Sequence, residues 1–169
     1  MKNIFALCFA FALVISCNKK ETSAVENKTD STKIVDSINA ARTKINDSIK
    51  SENRFKSLSG NHRFSFQSQN SKAISGMVKF EKIGGERDNY NIEGSINSGS
   101  NSVKIKGFAQ AVSDRHINFT GEIIQKISGD KPYTRKGTKT FLSKDGGKTY
   151  RLQDMVNGAG FVDYIDIHF

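Results

Sequence analysis

The chain contains few of the residues from which catalytic and metal-binding sites are usually built. Its 169 residues include no tryptophan, one proline, two cysteines and three histidines. Both cysteines, Cys8 and Cys17, lie near the N-terminus, so neither a disulfide nor a thiolate cluster can form within the rest of the chain. The longest apolar run, Ile4–Ile15, is shorter than the roughly 20 residues that a membrane-spanning helix needs. The stability of the remainder must therefore come from packing.

Motifs for enzymatic chemistry are absent or incomplete. No serine lies in a Gly-x-Ser-x-Gly motif. Residues 145–149 (Asp-Gly-Gly-Lys-Thr) end like a phosphate-binding loop, but Leu142 stands where the first glycine of that loop should be, and a strand-like segment follows. Asp166 and His168 alternate along one strand face and would supply only two ligands of a metal site. We therefore predict a protein that is not an enzyme and has neither a bound metal nor a cofactor.

The N-terminal segment has the order of a secretory signal. Lys2 provides a charged start, Ile4–Ile15 an apolar core and Ser16 a small residue before Cys17. The segment Leu13-Val14-Ile15-Ser16-Cys17 resembles the lipobox of bacterial lipoproteins, in which the cysteine becomes the lipidated N-terminus. The resemblance implies a signal peptide over residues 1–16 and lipidation of Cys17. The alternative is an ordinary secretory signal with an incidental cysteine.

Lipidation of Cys17 would determine where the protein is located. Two or more acyl chains anchor a protein stably, at about 0.8 kcal/mol per buried methylene group. The resemblance therefore implies an extracytoplasmic protein of the bacterial cell envelope, held in the membrane, with the outer membrane expected.

The charge of the chain is basic but dispersed. The formal net charge is +9, and it would fall to +8 after removal of residues 1–16, which contain Lys2 and no acid. Such a surface favours anionic lipid headgroups, polysaccharides or acidic proteins, although basic side chains also serve plain solubility. Nucleic acid is not expected as a partner, because no known reader motif is present.

A tether and a helix are predicted before the main domain. Residues 17–30 are polar and aperiodic, as in a disordered spacer. Residues 31–58 predict an amphipathic helix ended by Gly60, with one aliphatic stripe. The stripe consists of Ile34, Ile38, Ala41, Ile45 and Ile49. It could be covered by the following domain, by a second copy of the chain or by the membrane interface, and its sequence leaves these three open.

Three serines in this segment form a possible modification site. Ser31, Ser37 and Ser48 each follow an aspartate and precede Thr or Ile. These triplets resemble the sequon of a bacterial O-glycosylation system that acts on exported proteins. The alternative is that they only form the solvated side of the helix.

From residue 60 to residue 169 the hydrophobic period is two, which is typical of β-strands. Glycine- and asparagine-rich turns separate eight such segments, and short connections make neighbouring strands antiparallel. The last three segments are predicted near Tyr133–Leu142, Thr149–Met155 and Phe161–Phe169. The fold class is therefore mainly β: an eight-stranded antiparallel up-and-down meander, closed as a barrel or strongly curved.

A repeated unit, apolar-x-Gly-x-apolar, supports a curled sheet. Its glycines are Gly76, Gly94, Gly107 and Gly121. Glycine inside a strand is expected where the strand bends or another group approaches closely. We interpret the four glycines as architectural. The alternative is that, with Phe64 and Phe66, they line an interior site for a small hydrophobic ligand.

The meander resembles lipocalin-like and streptavidin-like barrels over residues 60–169, in topology only. The Gly-x-Trp signature of those families cannot be present without tryptophan. We therefore predict a non-enzymatic envelope lipoprotein whose barrel binds a small hydrophobic ligand or an envelope component. The alternative is a protein-interaction or envelope-assembly module that uses the helix stripe and the basic surface. Phe108, opposite in parity to Ile105 and Ala109, is predicted to point outward.

Overall fold

A computed structural model describes residues 26–69 and 71–169. The predicted signal peptide over residues 1–16, Cys17 and most of the predicted tether lie outside these described residues. The described residues divide between two units, which meet between Lys44 and Ile45 along the chain.

Within the described residues one helix precedes eight strands. The helix α1 spans Glu26–Ser51. The strands are β1 (Gly60–Ser68), β2 (Ile74–Lys82), β3 (Asn89–Ser98), β4 (Asn101–Ser113), β5 (His116–Lys126), β6 (Tyr133–Ser143), β7 (Thr149–Leu152) and β8 (Asp163–His168).

The strands form a closed antiparallel barrel in chain order, which confirms the predicted fold class. Each strand pairs with its neighbour in sequence, and β8 returns to pair with β1. The closing register places Phe64 opposite Ile167 and Phe66 opposite Ile165. Closure pairs the two strands that would otherwise be exposed edges.

The core follows from the alternation of side chains along each strand. Apolar residues two positions apart point to the same face, and in a barrel that face is the interior. Phe64, Val78, Tyr90, Ile123 and Ile167 are fully buried. The polar residues between them face outward, so the period of two in the sequence becomes an apolar interior and a polar outer wall.

The helix does not have the predicted bounds of residues 31–58. It begins at Glu26, within the predicted tether. The sequence did not reveal these first turns because they are polar and carry no apolar stripe. The helix ends at Ser51 rather than near Gly60. Asn53 and Arg54 beyond it hydrogen-bond to Tyr90 and Asp88 of the barrel, and these contacts hold the chain in a non-helical conformation.

The seventh and eighth strands are shorter than predicted. β7 ends at Leu152 rather than Met155, and β8 spans Asp163–His168 rather than Phe161–Phe169. Between them the chain folds on itself: the Asp163 N–H donates to the Met155 carbonyl at 2.7 Å, and Val156 bridges Val162. The apolar residues of this loop match a strand pattern, but local hydrogen bonds take the place of the ladder.

Candidate functional site

The barrel interior is the site predicted to hold a hydrophobic ligand. Phe64 and Phe66 lie there at 0% and 2% exposure, packed in the core. Aromatic rings contact one another edge to face, with Phe119 and Phe141 centroids 6.2 Å apart and Phe80 and Tyr90 centroids 6.0 Å apart. Eight-stranded barrels either fill with side chains or hold one small guest, and this packing favours the first arrangement.

The four glycines of the repeated unit lie where neighbouring strands approach closely. A Cβ atom added at Gly76 would lie 2.1 Å from the Ser95 carbonyl oxygen, and one at Gly121 would lie 2.2 Å from the Lys106 carbonyl oxygen. Corresponding distances are 2.7 Å at Gly94 and 2.3 Å at Gly107. Backbone atoms therefore occupy the space that a ligand would need, which favours the architectural interpretation. Ligand binding inside the barrel stays a prediction, and the packing weighs against it.

One end of the barrel holds a buried ionic network that we call the arginine end. It consists of Gln125, Arg135, Asn157 and Asp163. The Arg135 and Asp163 side chains are both fully buried, and Arg135 Nη2 donates to Asp163 Oδ2 at 3.1 Å. Gln125 accepts a hydrogen bond from Arg135 and donates one to Asp163 at 2.8 Å. The Arg135 Nε–H donates to the Asp154 carbonyl at 3.0 Å.

This network leaves none of its charged atoms unpaired. Asn157 Nδ2 donates to the second Asp163 oxygen at 3.3 Å, and the Arg135 guanidinium lies 4.8 Å from the Tyr133 ring centroid. Among the described residues, every buried side-chain nitrogen and oxygen has a hydrogen-bond partner. A buried charge pair is tolerated only with such complete pairing. The arginine end is therefore closed by the protein's own groups.

The opposite end is closed by the segment that joins helix and barrel, and we call it the linker end. It consists of Asn53, Arg54, Leu58, Asp88 and Tyr90. The Arg54 N–H and Nε–H each donate to Asp88 at 2.9 Å. The Tyr90 hydroxyl accepts hydrogen bonds from Asn53 Nδ2 at 2.8 Å and from the Leu58 N–H at 3.2 Å. Leu58 is 5% exposed and belongs to the barrel core.

Hydrogen bonding at the linker end shifts the ionisation of Asp88. Burial of the carboxyl acts to raise its pKa, but the Arg54 guanidinium, the Phe55 and Arg54 N–H groups and the Arg54 charge together outweigh burial. The pKa of Asp88 is therefore below its ordinary value. Asp88 is ionised at neutral pH and holds the linker through charge-assisted hydrogen bonds.

A polar groove of 520 Å³ runs along the outer wall beside the short strand β7. In it Arg151 donates two hydrogen bonds to Asp166, at 2.8 Å and 2.7 Å, and its guanidinium lies 4.6 Å from the Tyr164 ring centroid. The His168 ring contacts Ser65 Oγ at 2.9 Å. Because Arg151 holds both oxygens of Asp166, this carboxylate does not orient His168 as a catalytic triad would require.

Burial and the nearby Arg63 charge lower the pKa of His168, against a smaller opposing effect of Asp166. His168 is therefore largely neutral at pH 7. Its second nitrogen lies 3.3 Å from Thr149 Oγ1, so the ring joins three strands of the wall. Within residues 26–69 and 71–169, no group of three or more His, Cys, Asp or Glu side chains could hold a metal ion.

The helix stripe predicted from the sequence is exposed. Ile34, Ile38, Ile45 and Ile49 have between 45% and 58% of their surface accessible. Ser31, Ser37 and Ser48, the serines of the possible glycosylation triplets, are also exposed on this helix. For the stretch of chain that the structure covers, no helix has the length and apolarity needed to span a membrane.

Phe108 points outward, as its parity predicted, and is 59% exposed. Sequence reasoning missed two other features. Arg135 lies at an inward position of β6, where a charged residue is not expected without a visible partner. Asp163 lies 28 positions away, so no local pattern connects the two residues.

Three comparisons with known proteins found similarities. The sequence model of the PM1083 family matches residues 42–169. The uncharacterized protein PM1083 of Pasteurella multocida (strain Pm70) is 31% identical over 121 residues, which cover 66% of this chain and 73% of that protein. A solved structure of a redesigned beta barrel aligns at a TM-score of 0.43 and 10% identity, over 66% of this chain and 90% of that one.

Proposed function

The chain belongs to the PM1083 family, and from this premise we propose that it is a lipid-anchored, non-enzymatic interaction module of the bacterial cell envelope. In this proposal the barrel is a rigid scaffold, and binding takes place on the outside of the molecule.

One contrast carries the proposal. The barrel interior is filled by its own side chains and both of its ends are closed by its own groups, whereas the isoleucines of the helix stripe are about half exposed. Fully burying an isoleucine side chain is worth about 1.5–3 kcal/mol. Four such side chains on one helix face therefore favour association with an apolar partner surface.

We take a second copy of the same helix as the partner of the stripe. The spacing of four, three and four positions from Ile34 to Ile45 is that of a coiled-coil seam. Residues 18–169 should associate with increasing concentration in sedimentation runs. Ile38→Asp and Ile45→Asp should each abolish association, because a charge would be buried in the seam.

Thr43→Asp provides the matched control, since it adds the same charge on the opposite helix face. It should leave association unchanged. A wild-type chain that remains monomeric at all concentrations would overturn the pairing of helices.

The membrane anchor rests on the lipobox resemblance at Cys17. Cells that express the full chain with radiolabelled palmitate should label the protein, and Cys17→Ser should remove the label while Cys8→Ser, within the signal peptide, should keep it. The label should be found in the outer-membrane fraction. Label that persists after Cys17→Ser would contradict anchoring at this residue.

Exposure of Ser31, Ser37 and Ser48 is compatible with O-glycosylation of the helix. The intact mass of protein purified from its natural host should exceed the mass of the lipidated polypeptide by whole hexose units or related sugars. A mass without that excess would refute the modification.

A further inference from the structure

The outer wall of strands β3–β6 carries two adjacent rows of neutral polar side chains around Phe108. In the first row Asn91 pairs with Phe108, Phe108 with Thr120 and Thr120 with Thr138. In the second row the pairing runs through Asn89, Gln110, Asn118 and Thr140. We call these eight residues the Phe108 patch.

The eight residues of the patch include no charged side chain. One carboxylate, Glu86, lines the margin of the same depression and accepts a hydrogen bond from Asn89 Nδ2 at 2.7 Å. The next row of the wall neutralises itself. There Glu93 pairs with Lys106, Lys106 with Glu122 and Glu122 with Lys136. The ion pairs measure 3.5 Å between Lys106 and Glu93 and 2.9 Å between Lys136 and Glu122. An alternating ladder of this kind gives no net field that would attract a charged ligand.

The aromatic ring at the centre of the patch takes no part in the core and lies largely in solvent. Phe108 is 59% exposed, although it lies in the middle of the longest strand with paired strands on both sides. A shallow depression of 700 Å³ lies over it and is lined also by Asn91, Gln110 and Thr120. A single exposed apolar side chain is common on protein surfaces. Phe108 differs because it lies in a depression that amide and hydroxyl side chains surround.

The polar groups around the ring can both donate and accept hydrogen bonds. Asn91 and Gln110 are exposed and, in the part of the chain that the structure describes, have no side-chain hydrogen bond. Asn118 accepts a hydrogen bond from Thr140 at 3.5 Å through its carbonyl oxygen, so its NH₂ group remains available. Each amide offers two donors and one acceptor oxygen.

The Thr120 and Thr138 hydroxyls already hydrogen-bond to each other at 2.9 Å, and Asn89 Nδ2 donates to Glu86 at 2.7 Å. The donors available to a ligand are therefore chiefly those of Asn91, Gln110 and Asn118.

We propose that the Phe108 patch binds a neutral carbohydrate chain. Sugars present hydroxyl groups that donate and accept hydrogen bonds together with apolar C–H faces that pack on aromatic rings, and the patch offers the complement of both. Protein hot spots are instead enriched in Trp, Tyr and Arg and poor in Thr, whereas three of these eight residues are threonines. The proposal depends neither on the lipid anchor nor on the helix stripe.

The test is a titration of the purified, ¹⁵N-labelled full chain with three neutral hexasaccharides, built from β-linked glucose, α-linked glucose and N-acetylglucosamine. At least one of them should shift the side-chain amide signals of Asn91, Gln110 and Asn118 in a saturable manner. Phe108→Ala should weaken that binding at least tenfold. Met77→Ala, which truncates another outward side chain of similar exposure (53%), should leave it unchanged.

Gln110→Ala keeps the ring and removes one amide, so it should weaken binding with the backbone spectrum of the barrel unchanged. The proposal is overturned if none of the three sugars shifts the patch, or if Phe108→Ala binds like wild type. Equal shifts of the same amide signals with a sulfated polysaccharide would contradict the proposal, because they would show binding of an anionic rather than a neutral chain. A wild-type dimer that Phe108→Ala converts to monomer would make it a contact between copies of the chain.

Discussion

The arginine end and the linker end close the same barrel by different means. At the arginine end both charged partners, Arg135 and Asp163, are fully buried, and both belong to barrel strands. At the linker end Asp88 is equally buried, but its partner Arg54 is 51% exposed and belongs to a segment outside the barrel. The arginine end is therefore closed by residues of the barrel strands, and the linker end is closed by the segment between α1 and β1.

This difference has energetic consequences. Removing one partner of a buried ion pair strongly destabilises the folded protein, because the other charge stays buried without water or a counter-charge. Where one member of the ion pair is half exposed, as Arg54 is, water screens the attraction and the pair contributes less to stability. The arginine end should consequently respond more strongly than the linker end to loss of a single group.

The largest effect is expected from removal of β8, which connects the two ends. Deleting residues 164–169 takes away the strand that pairs with both β1 and β7 and also removes Phe169, which packs on the aromatic rings near the linker end. The chain should lose its cooperative thermal transition. Deleting Phe169 alone should preserve cooperative melting at a lower temperature. Cooperative melting of the longer truncation would show that closure is dispensable.

Arg135→Met should destabilise the barrel by about 3–5 kcal/mol in urea unfolding, because it leaves Asp163 buried without its counter-charge. The double variant Arg135→Met, Asp163→Leu removes both charges and should recover part of the loss, because it eliminates the unpaired carboxylate but leaves the buried Gln125 and Asn157 amides without their acceptor. A single variant within about 1 kcal/mol of wild type would contradict the role assigned to the arginine end.

Asp88→Asn should cost less, about 1.5–3 kcal/mol, since it removes the charge from hydrogen bonds to a carboxylate but keeps an acceptor oxygen. Arg54→Met should cost still less, because Asp88 keeps its hydrogen bonds from the Arg54 and Phe55 N–H groups and the lost ion pair is half exposed on the Arg54 side. Urea unfolding measures both. If Asp88→Asn destabilises more than Arg135→Met, the ranking of the two ends is wrong.

The smallest effect is a pH dependence confined to the linker end. The pKa of Asp88 is lowered on folding, so its stabilising contribution is complete above the unfolded value of about 3.9 and is lost as the pH falls through the lowered folded pKa. Wild type should therefore lose stability below about pH 4 more steeply than Asp88→Asn. Asp145, whose pKa is about 2, is present in both proteins and cancels in the comparison. Parallel curves would contradict the assignment.

The sequence predicted the barrel well because its signal is local. Side chains that alternate along one strand, such as Ile117, Phe119 and Ile123, report the inward face without knowledge of any partner strand. The outward direction of Phe108 followed from the same parity. The boundaries of the elements were less predictable, because they depend on hydrogen bonds between distant segments. Contacts with Tyr90 and Asp88 hold the chain after Ser51 in a non-helical conformation. The loop after Leu152 forms backbone hydrogen bonds within itself.

By itself the sequence determined the β period, the antiparallel order, the glycines of close strand approach and the aliphatic stripe of the helix. Only the tertiary structure decided that the barrel closes and fills, that Arg135 meets Asp163, and that Phe108 lies among amides and hydroxyls of three other strands. The physical reason is that periodicity is written into one strand at a time. Burial of a charge and composition of a surface depend instead on which strands become neighbours, and closure of the chain alone establishes that.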